Sequence, residues 1–122
     1  MSRLIADNDC GMNEYQIKAL DTASYPRVGY NTIYPALKLA GEAGETADKI
    51  GKWWRNHGIV DGQHLSEKQK EELVLELGDV LWYIAALGME IGVSLSDIAN
   101  KNKEKLQSRK ERGVIKGEGD NR

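Results

Sequence analysis

Gly41-Glu42-Ala43-Gly44-Glu45 and Glu76-Leu77-Gly78-Asp79 each place two carboxylates three residues apart within a segment of helical pattern. Residues at this spacing share one face of a helix, so the four acids are expected to point from two helices toward one place. Gathering four carboxylates in an apolar bundle is costly unless a cation lies among them. The two stretches therefore predict a helical fold built around a divalent metal site.

Helical periodicity runs through most of the chain, and no segment shows the period-two alternation of a strand. The expected helices run from an N-cap at Asn13 to about Ser24, from Thr32 or Ile33 to Trp54 or Arg55, from Ser66 to Gly92 and from Ser94 to Gly113. Serine followed three residues later by glutamine or aspartate, at the starts of the last two helices, is a capping signature. The prediction is an all-α bundle of four to five helices.

The length of 122 residues predicts a single domain, 1–122, with a loose leader at 1–11 and a flexible tail at 114–122. Nothing in the sequence predicts a membrane span, and the N-terminus lacks the order of a signal peptide, so we expect a cytoplasmic protein. Cys10 is the only cysteine, which excludes an internal disulfide. Short helices with small-residue surfaces bury little apolar area alone, so we expect a homodimer or a homotetramer built as a dimer of dimers.

The formal net charge of −2 argues against a general nucleic-acid binder, because such proteins bind by neutralising phosphates. The charge is unevenly spread, since residues 101–122 carry a balance of +4 and residues 1–100 a balance of −6. The basic segment is either a solvated terminal helix or a surface for phosphate groups bound beside a metal. Charge alone leaves both interpretations open.

A single acidic pair on a helix is usually solvated surface, or is paired with a lysine as Glu45 is with Lys49. Two pairs on consecutive long helices favour a site instead. Carboxylate oxygens suit Mg²⁺, with Mn²⁺ as a substitute, and such metals serve phosphate chemistry. The glycines at 41, 44 and 51 are costly inside a helix and suggest that another helix comes close beside the ligands.

The two acidic stretches, the continuation Val80-Leu81-Trp82-Tyr83, and the later Lys101-Asn102, Lys105 and Arg109 resemble the signature of the MazG family of all-α nucleoside triphosphate pyrophosphohydrolases. The resemblance covers roughly residues 33–113. It implies an oligomeric helical bundle that binds Mg²⁺ and cleaves a nucleoside triphosphate between the α and β phosphates, releasing a nucleoside monophosphate and pyrophosphate.

The resemblance also implies roles for individual residues. The metal ligands and catalytic acids would be Glu42, Glu45, Glu76 and Asp79. The phosphates would be approached by Asn102 and Lys105, with Lys101 and Arg109 as further members. One of the four acids, or a neighbour such as Glu72, would orient or deprotonate the water. Apart from the resemblance, Trp54 and Tyr83 could either stack on a base or pack in the core or between subunits, and Lys38, on the acidic stripe, would pair with or tune the ligands.

The expected function is therefore control of the nucleotide pool by an Mg²⁺-dependent pyrophosphohydrolase acting on deoxynucleoside or non-standard triphosphates. One alternative is a pyrimidine-specific dUTP or dCTP hydrolase of the same fold, which would differ in its base pocket. The other alternative is a non-catalytic helical interaction module whose acids bind a regulatory cation or are only structural.

Overall fold

The computed structural model describes residues 10–122, and within them every regular element is helical. Within this range, four α-helices follow one another as α1 (Met12–Leu20), α2 (Ile33–His57), α3 (Glu67–Glu90) and α4 (Leu95–Glu111), with a 3₁₀ turn at Gly62–His64. This confirms the predicted all-α class. The predicted leader lies outside the described residues, apart from Cys10 and Gly11.

The long helices α2 and α3 form an antiparallel hairpin that is the centre of the molecule. Tyr34 near the start of α2 meets Tyr83 late in α3, while Lys49 further along α2 approaches Glu76 earlier in α3. Helix α1 packs across the second half of α3, and α4 contacts α1 and α3. Within residues 10–122, α4 does not pack on α2.

Local signals account for most helix ends. The capping boxes at Ser66 and Ser94 are both formed, as predicted. Gly92 follows α3 with a φ of +76°, in the left-handed region that glycine tolerates, which agrees with its predicted role at the helix end. Helix α2 runs slightly longer than expected, to His57, and Gly58 closes it by donating from its N–H to the Trp54 carbonyl at 2.8 Å.

The predicted boundaries of the first helix are wrong at both ends. Its N-cap is Gly11, and Asn13 lies inside the helix, where its Oδ1 accepts a hydrogen bond from the Ser96 N–H at the start of α4. The helix ends at Leu20 because the Ala19 carbonyl accepts from the Thr22 hydroxyl at 2.7 Å and from the Trp82 indole N–H at 3.0 Å. The same carbonyl accepts the Thr22 N–H at 3.2 Å, so the last turn tightens to the i→i+3 pattern before the chain leaves the helix.

The core is small and lies where α1, α3 and the start of α4 meet. Ala85 and Ala86 are fully buried and Leu95 is nearly so. A Cβ added to Gly88 would lie 3.2 Å from the Val93 carbonyl oxygen, so a small residue is required there. Many large apolar side chains stay exposed on the single chain, including Leu37 at 68% and Val74 at 66%.

The glycines of α2 do not make room for another helix of this chain, contrary to the expectation from sequence. A Cβ at Gly41, Gly44 or Gly51 would meet no atom within 4 Å among the described residues. These glycines lie on an open face. Their cost within the helix is not explained by packing in the single chain.

Residues 114–122, for which the sequence predicts a flexible tail, fold back in turns at the end of α4. Arg122 donates to the carbonyls of Val114 and Gly119, at 3.0 and 2.6 Å. Arg109 of α4 donates to the backbone and side chain of Asp120, both at 3.2 Å. Among the described residues, no helix is long and apolar enough to cross a membrane.

Candidate active site

Helices α2 and α3 bring together three of the four predicted acids. Glu42 and Glu45 lie one turn apart on α2, and the antiparallel packing sets Glu76 of α3 opposite them. One carboxylate oxygen from each of the three lies within 4.8 Å of the other two. We call these residues the acid cluster. Convergence of these acids from two helices, which the spacing predicted, is therefore observed.

Two oxygens of the acid cluster are buried and find no hydrogen-bond partner among residues 10–122, namely Oε2 of Glu42 and Oε2 of Glu76. The two side chains are only 12% and 17% exposed. A buried carboxylate oxygen without a partner is unfavourable, because it has lost its hydrogen bonds to water and no protein donor replaces them. In the described part of the chain, the cations nearest to these acids are Lys38, 3.9 Å from Glu42, and Lys49, 3.9 Å from Glu76, both beyond hydrogen-bonding distance.

The pKa of Glu42 reflects this environment. Burial raises the pKa of Glu42 above its usual range, and the negative charges of Glu45 and Asp79 raise it further, while Lys38 lowers it only in part. An additional cation would relieve both the burial cost and the repulsion. The unpartnered oxygens and the all-carboxylate donor set fit a hard divalent ion, so the cluster is a possible metal site.

Asp79 lies one turn after Glu76 on α3 but outside the group of closely spaced oxygens. It is exposed, and it lines a cleft together with Glu42. It is near enough for its charge to raise the pKa of Glu42. The structure thus sets Asp79 at the edge of the acid cluster, between it and the adjoining cleft.

That cleft has a volume of about 530 Å³ and has four aromatic rings among its walls; we call it the aromatic cleft. Its aromatic residues are Tyr25, Tyr34, Trp82 and Tyr83. The rings of Tyr25 and Tyr34 stack with centroids 5.3 Å apart and an interplanar angle of 15°. Tyr34 meets Tyr83 edge-on at 6.3 Å. The predicted residue Tyr83 is therefore beside the acids.

Tyr25 and Tyr34 were missed by the sequence analysis. Tyr25 lies in the connection between α1 and α2, and Tyr34 is in the first turn of α2. The available signal was the density of tyrosines at positions 25, 30 and 34 around a proline. That signal identifies a loop, and it does not indicate which rings turn inward.

A second cleft, of about 300 Å³, lies on the other side of the acid cluster and contains lysines; we call it the lysine cleft. Glu45 and Glu76 border it together with Glu72, Lys49 and Trp53. Glu72 thus lies near the cluster, and its supporting role stays a prediction. Trp54 is 64% exposed and lines neither this cleft nor the aromatic one.

The residues predicted to approach phosphates lie elsewhere in the single chain. Lys101, Asn102 and Lys105 line a separate cleft of about 740 Å³ along α4. Arg109 is only 5% exposed and, with Lys105, contacts Asp120 of the tail. Because α4 does not pack on α2 within residues 10–122, their role toward substrate stays a prediction.

Fold and site together define an all-helical protein with a carboxylate cluster suited to a divalent cation, set between an aromatic and a lysine-containing cleft. The family model for the MazG nucleotide pyrophosphohydrolase domain matches residues 32–114. The chain therefore belongs to the MazG family, a family of hydrolases acting on nucleotides, and the resemblance stated from the sequence is confirmed.

The chain is also similar to individual proteins. The chain is 46% identical over 113 residues to the Gene 37 protein of Mycobacterium phage L5, covering 88% of this chain and 96% of that protein. It is 36% identical over 89 residues to the uncharacterized protein YvdC of Bacillus subtilis, covering 70% and 84%. The histidine biosynthesis bifunctional protein HisIE of Campylobacter jejuni is 29% identical over 75 residues, covering 62% of this chain and 34% of that protein. No solved structure gives a significant match.

Proposed function

We propose that this chain hydrolyses nucleoside triphosphates between the α and β phosphates, giving a nucleoside monophosphate and pyrophosphate, with Mg²⁺ or in its place Mn²⁺. The observation that carries the proposal is the pair of buried, unpartnered oxygens on Glu42 and Glu76 beside an aromatic cleft. The family assignment supports a nucleotide as the substrate.

The proposed metal ligands are the acid cluster, Glu42, Glu45 and Glu76, together with Asp79 at its edge. When bound, a divalent cation supplies neutralisation of the phosphate charge and makes an adjacent water more acidic. The chain supplies the geometry, because the helix hairpin holds the carboxylates in place before substrate arrives. In the reaction, water attacks one of the two phosphorus atoms joined by the α–β bridging oxygen, the bond from that phosphorus to the bridging oxygen breaks, and the nucleoside monophosphate and pyrophosphate separate.

The proton of the attacking water passes to a carboxylate, for which this site offers more than one acceptor. Glu72 borders the lysine cleft near Glu45 and Glu76, and Asp79 lies on the aromatic side of the cluster. A carboxylate not fully engaged with metal is suited to this role. We propose that the general base is one of these acids.

We place the nucleobase in the aromatic cleft. Its rings lie next to Glu42 and Asp79, and every base offers a π-face for stacking, worth roughly 1–3 kcal/mol per base. The sugar and phosphates would then extend toward the acid cluster. The proposed substrates are deoxynucleoside or non-standard triphosphates, consistent with a role in nucleotide-pool control.

The direct test of the reaction is a product-resolved assay on a panel of common and damaged nucleoside triphosphates with Mg²⁺. We expect equal amounts of nucleoside monophosphate and pyrophosphate from at least one substrate. Chelation of the metal should stop the reaction. Release of orthophosphate in place of pyrophosphate, or no turnover across the whole panel, would refute the proposal. Activity restricted to dUTP or dCTP would identify the pyrimidine-specific form.

We also propose that the protein works as a homodimer or a dimer of dimers, with α4 supplying phosphate contacts through Lys101, Asn102, Lys105 and Arg109. Helix α3 carries an exposed apolar stripe at Val74, Leu77 and Leu81, and α2 exposes Leu37. Stripes of this kind on a small chain favour burial against a second copy.

Light scattering at micromolar concentration tests the assembly. The wild type should have at least twice the mass of one chain, and Leu37→Glu combined with Val74→Glu should lower that mass, because each glutamate would be buried unpaired at the interface. The control is Glu71→Gln, a substitution at an exposed position of α3, the helix that carries Val74. A wild-type protein that is monomeric with full activity would contradict the proposal.

A further inference from the structure

The connection between α1 and α2 forms one wall of the aromatic cleft, and its backbone is irregular. Arg27 and Gly29 both have positive φ, +57° and +90°. A connection of this kind has no ladder of backbone hydrogen bonds to hold it. The Tyr30 N–H donates to the Arg27 carbonyl and the Asn31 side chain donates to the Pro26 carbonyl, both at 2.8 Å, and contacts with α3 set the position of this turn over the cleft.

The later part of the connection is held by one carboxylate, that of Glu90, the last residue of α3, while its start is bonded separately to Trp82. Oε2 of Glu90 accepts from the Tyr25 hydroxyl and from the Gly29 N–H at 2.8 Å, and its Oε1 accepts from the Asn31 N–H at 2.9 Å. A carboxylate with several donors is held more strongly than a neutral acceptor would be. Burial alone would raise the pKa of Glu90, but the bonds from Tyr25, Asn31 and Gly29 outweigh it and lower that pKa.

Two sets of contacts connect Glu90 to the walls of the aromatic cleft. The first runs through Tyr25, whose ring stacks on Tyr34 and meets Trp82 edge-on at 6.4 Å. The second runs through Asn31, whose Oδ1 accepts from the N–H groups of Ile33 and Tyr34 and so caps α2. Both stacked tyrosine rings are thus placed by residues that Glu90 holds.

Glu90 is remote from the acids. It lies eleven residues after Asp79 on the same helix, about 16 Å along its axis. It lines neither the aromatic nor the lysine cleft. Any effect of Glu90 on a substrate must therefore pass through the loop.

We infer that Glu90 is a positioning residue for the nucleoside, holding the loop between α1 and α2 so that Tyr25 and Tyr34 form the wall against which the base binds. This inference rests on the proposed function, because it assigns the base to the aromatic cleft. It makes nucleoside binding depend on a carboxylate outside both the metal site and the cleft.

The test compares Glu90→Gln, Glu90→Asp and the control Glu71→Gln, an exposed change on the same helix. Glutamine keeps the size but presents one acceptor atom, so we expect KM for the best substrate to rise about tenfold while kcat changes less than about twofold. Aspartate keeps the charge on a shorter side chain and should recover part of the loss. The Glu71→Gln control should match the wild type.

A second readout does not depend on turnover. Amide hydrogen exchange of Gly29 and Asn31 should become roughly tenfold faster in Glu90→Gln, because those N–H groups lose their acceptor, while exchange in α3 stays slow. Unchanged KM with normal wild-type turnover would overturn the inference and leave the reaction standing. A fall in kcat alone would also overturn it, as would unchanged exchange. If the wild type hydrolyses no nucleotide, the proposed function fails, and the exchange result still decides whether Glu90 holds the loop.

Discussion

Replacing Glu42 with glutamine is expected to abolish pyrophosphate release and to stabilise the metal-free protein. Glu42 has a buried oxygen without a partner, and burial together with Glu45 and Asp79 raises its pKa. A neutral amide removes the buried charge and can donate to the neighbouring Glu45 carboxylate. Loss of a metal ligand removes part of the several kcal/mol of transition-state stabilisation that a bound cation supplies, so kcat should fall by on the order of 10²–10³-fold or more.

The raised pKa of Glu42 also predicts how the stability difference between the wild type and Glu42→Gln changes with pH. Because the folded pKa of Glu42 is raised above its unfolded value, the folded state binds the proton more tightly. Glu42 therefore weakens folding increasingly as pH rises from the unfolded pKa through the folded one, and the full penalty remains above that. The Glu42→Gln variant should lack this contribution, so its advantage in metal-free stability should be largest at neutral pH.

Mg²⁺ should make the wild type more stable than the Glu42→Gln variant, which is the reverse of the order expected without metal. A ligand that binds only the folded wild type at one hundred times its Kd adds about 2.7 kcal/mol. Thermal unfolding with and without Mg²⁺ should therefore show a large shift for the wild type and for the exposed control Glu71→Gln, and little shift for Glu42→Gln. Retained activity in Glu42→Gln, or a wild-type stability indifferent to divalent ions, would contradict the assignment of Glu42 as a ligand.

Replacing Gln16 with leucine is expected to lower the free energy of unfolding by about 2–4 kcal/mol, since each buried group left unpaired costs roughly 1–3 kcal/mol. The Gln16 amide donates to the carbonyls of Ala85 and Val93, at 3.1 and 3.3 Å, and its Oε1 accepts from the Leu95 N–H at 3.0 Å. One side chain of α1 thus joins α3, the turn and α4. Leucine fills the space but satisfies none of these groups.

Urea unfolding at fixed protein concentration measures this effect. The matched comparison is Asn13→Ala, which removes an exposed bond from the same helix to the Ser96 N–H and should cost about 1 kcal/mol. A loss for Gln16→Leu no greater than that for Asn13→Ala would show that the buried amide is not the link that holds α1 in place.

The candidate site was predictable as far as it depends on helix periodicity. Glu42 and Glu45 share a face because they are one turn apart, and Glu76 meets them because two long amphipathic helices joined by a short connection pack antiparallel. The aromatic cleft was only partly predictable. The position of Tyr83 follows from helical periodicity. Tyr25, by contrast, is positioned by a hydrogen bond to Glu90, sixty-five residues away in sequence.

The sequence by itself determined the helical class, the caps at Ser66 and Ser94, and the pairing of acids on two helix faces, because each depends on residues within a few positions of one another. Only the tertiary structure decided where α1 ends, that α4 does not pack on α2 within residues 10–122, and that Glu90 holds the loop between α1 and α2. These depend on contacts between residues far apart in the chain. No local pattern specifies which distant carbonyl, amide or ring will be the partner.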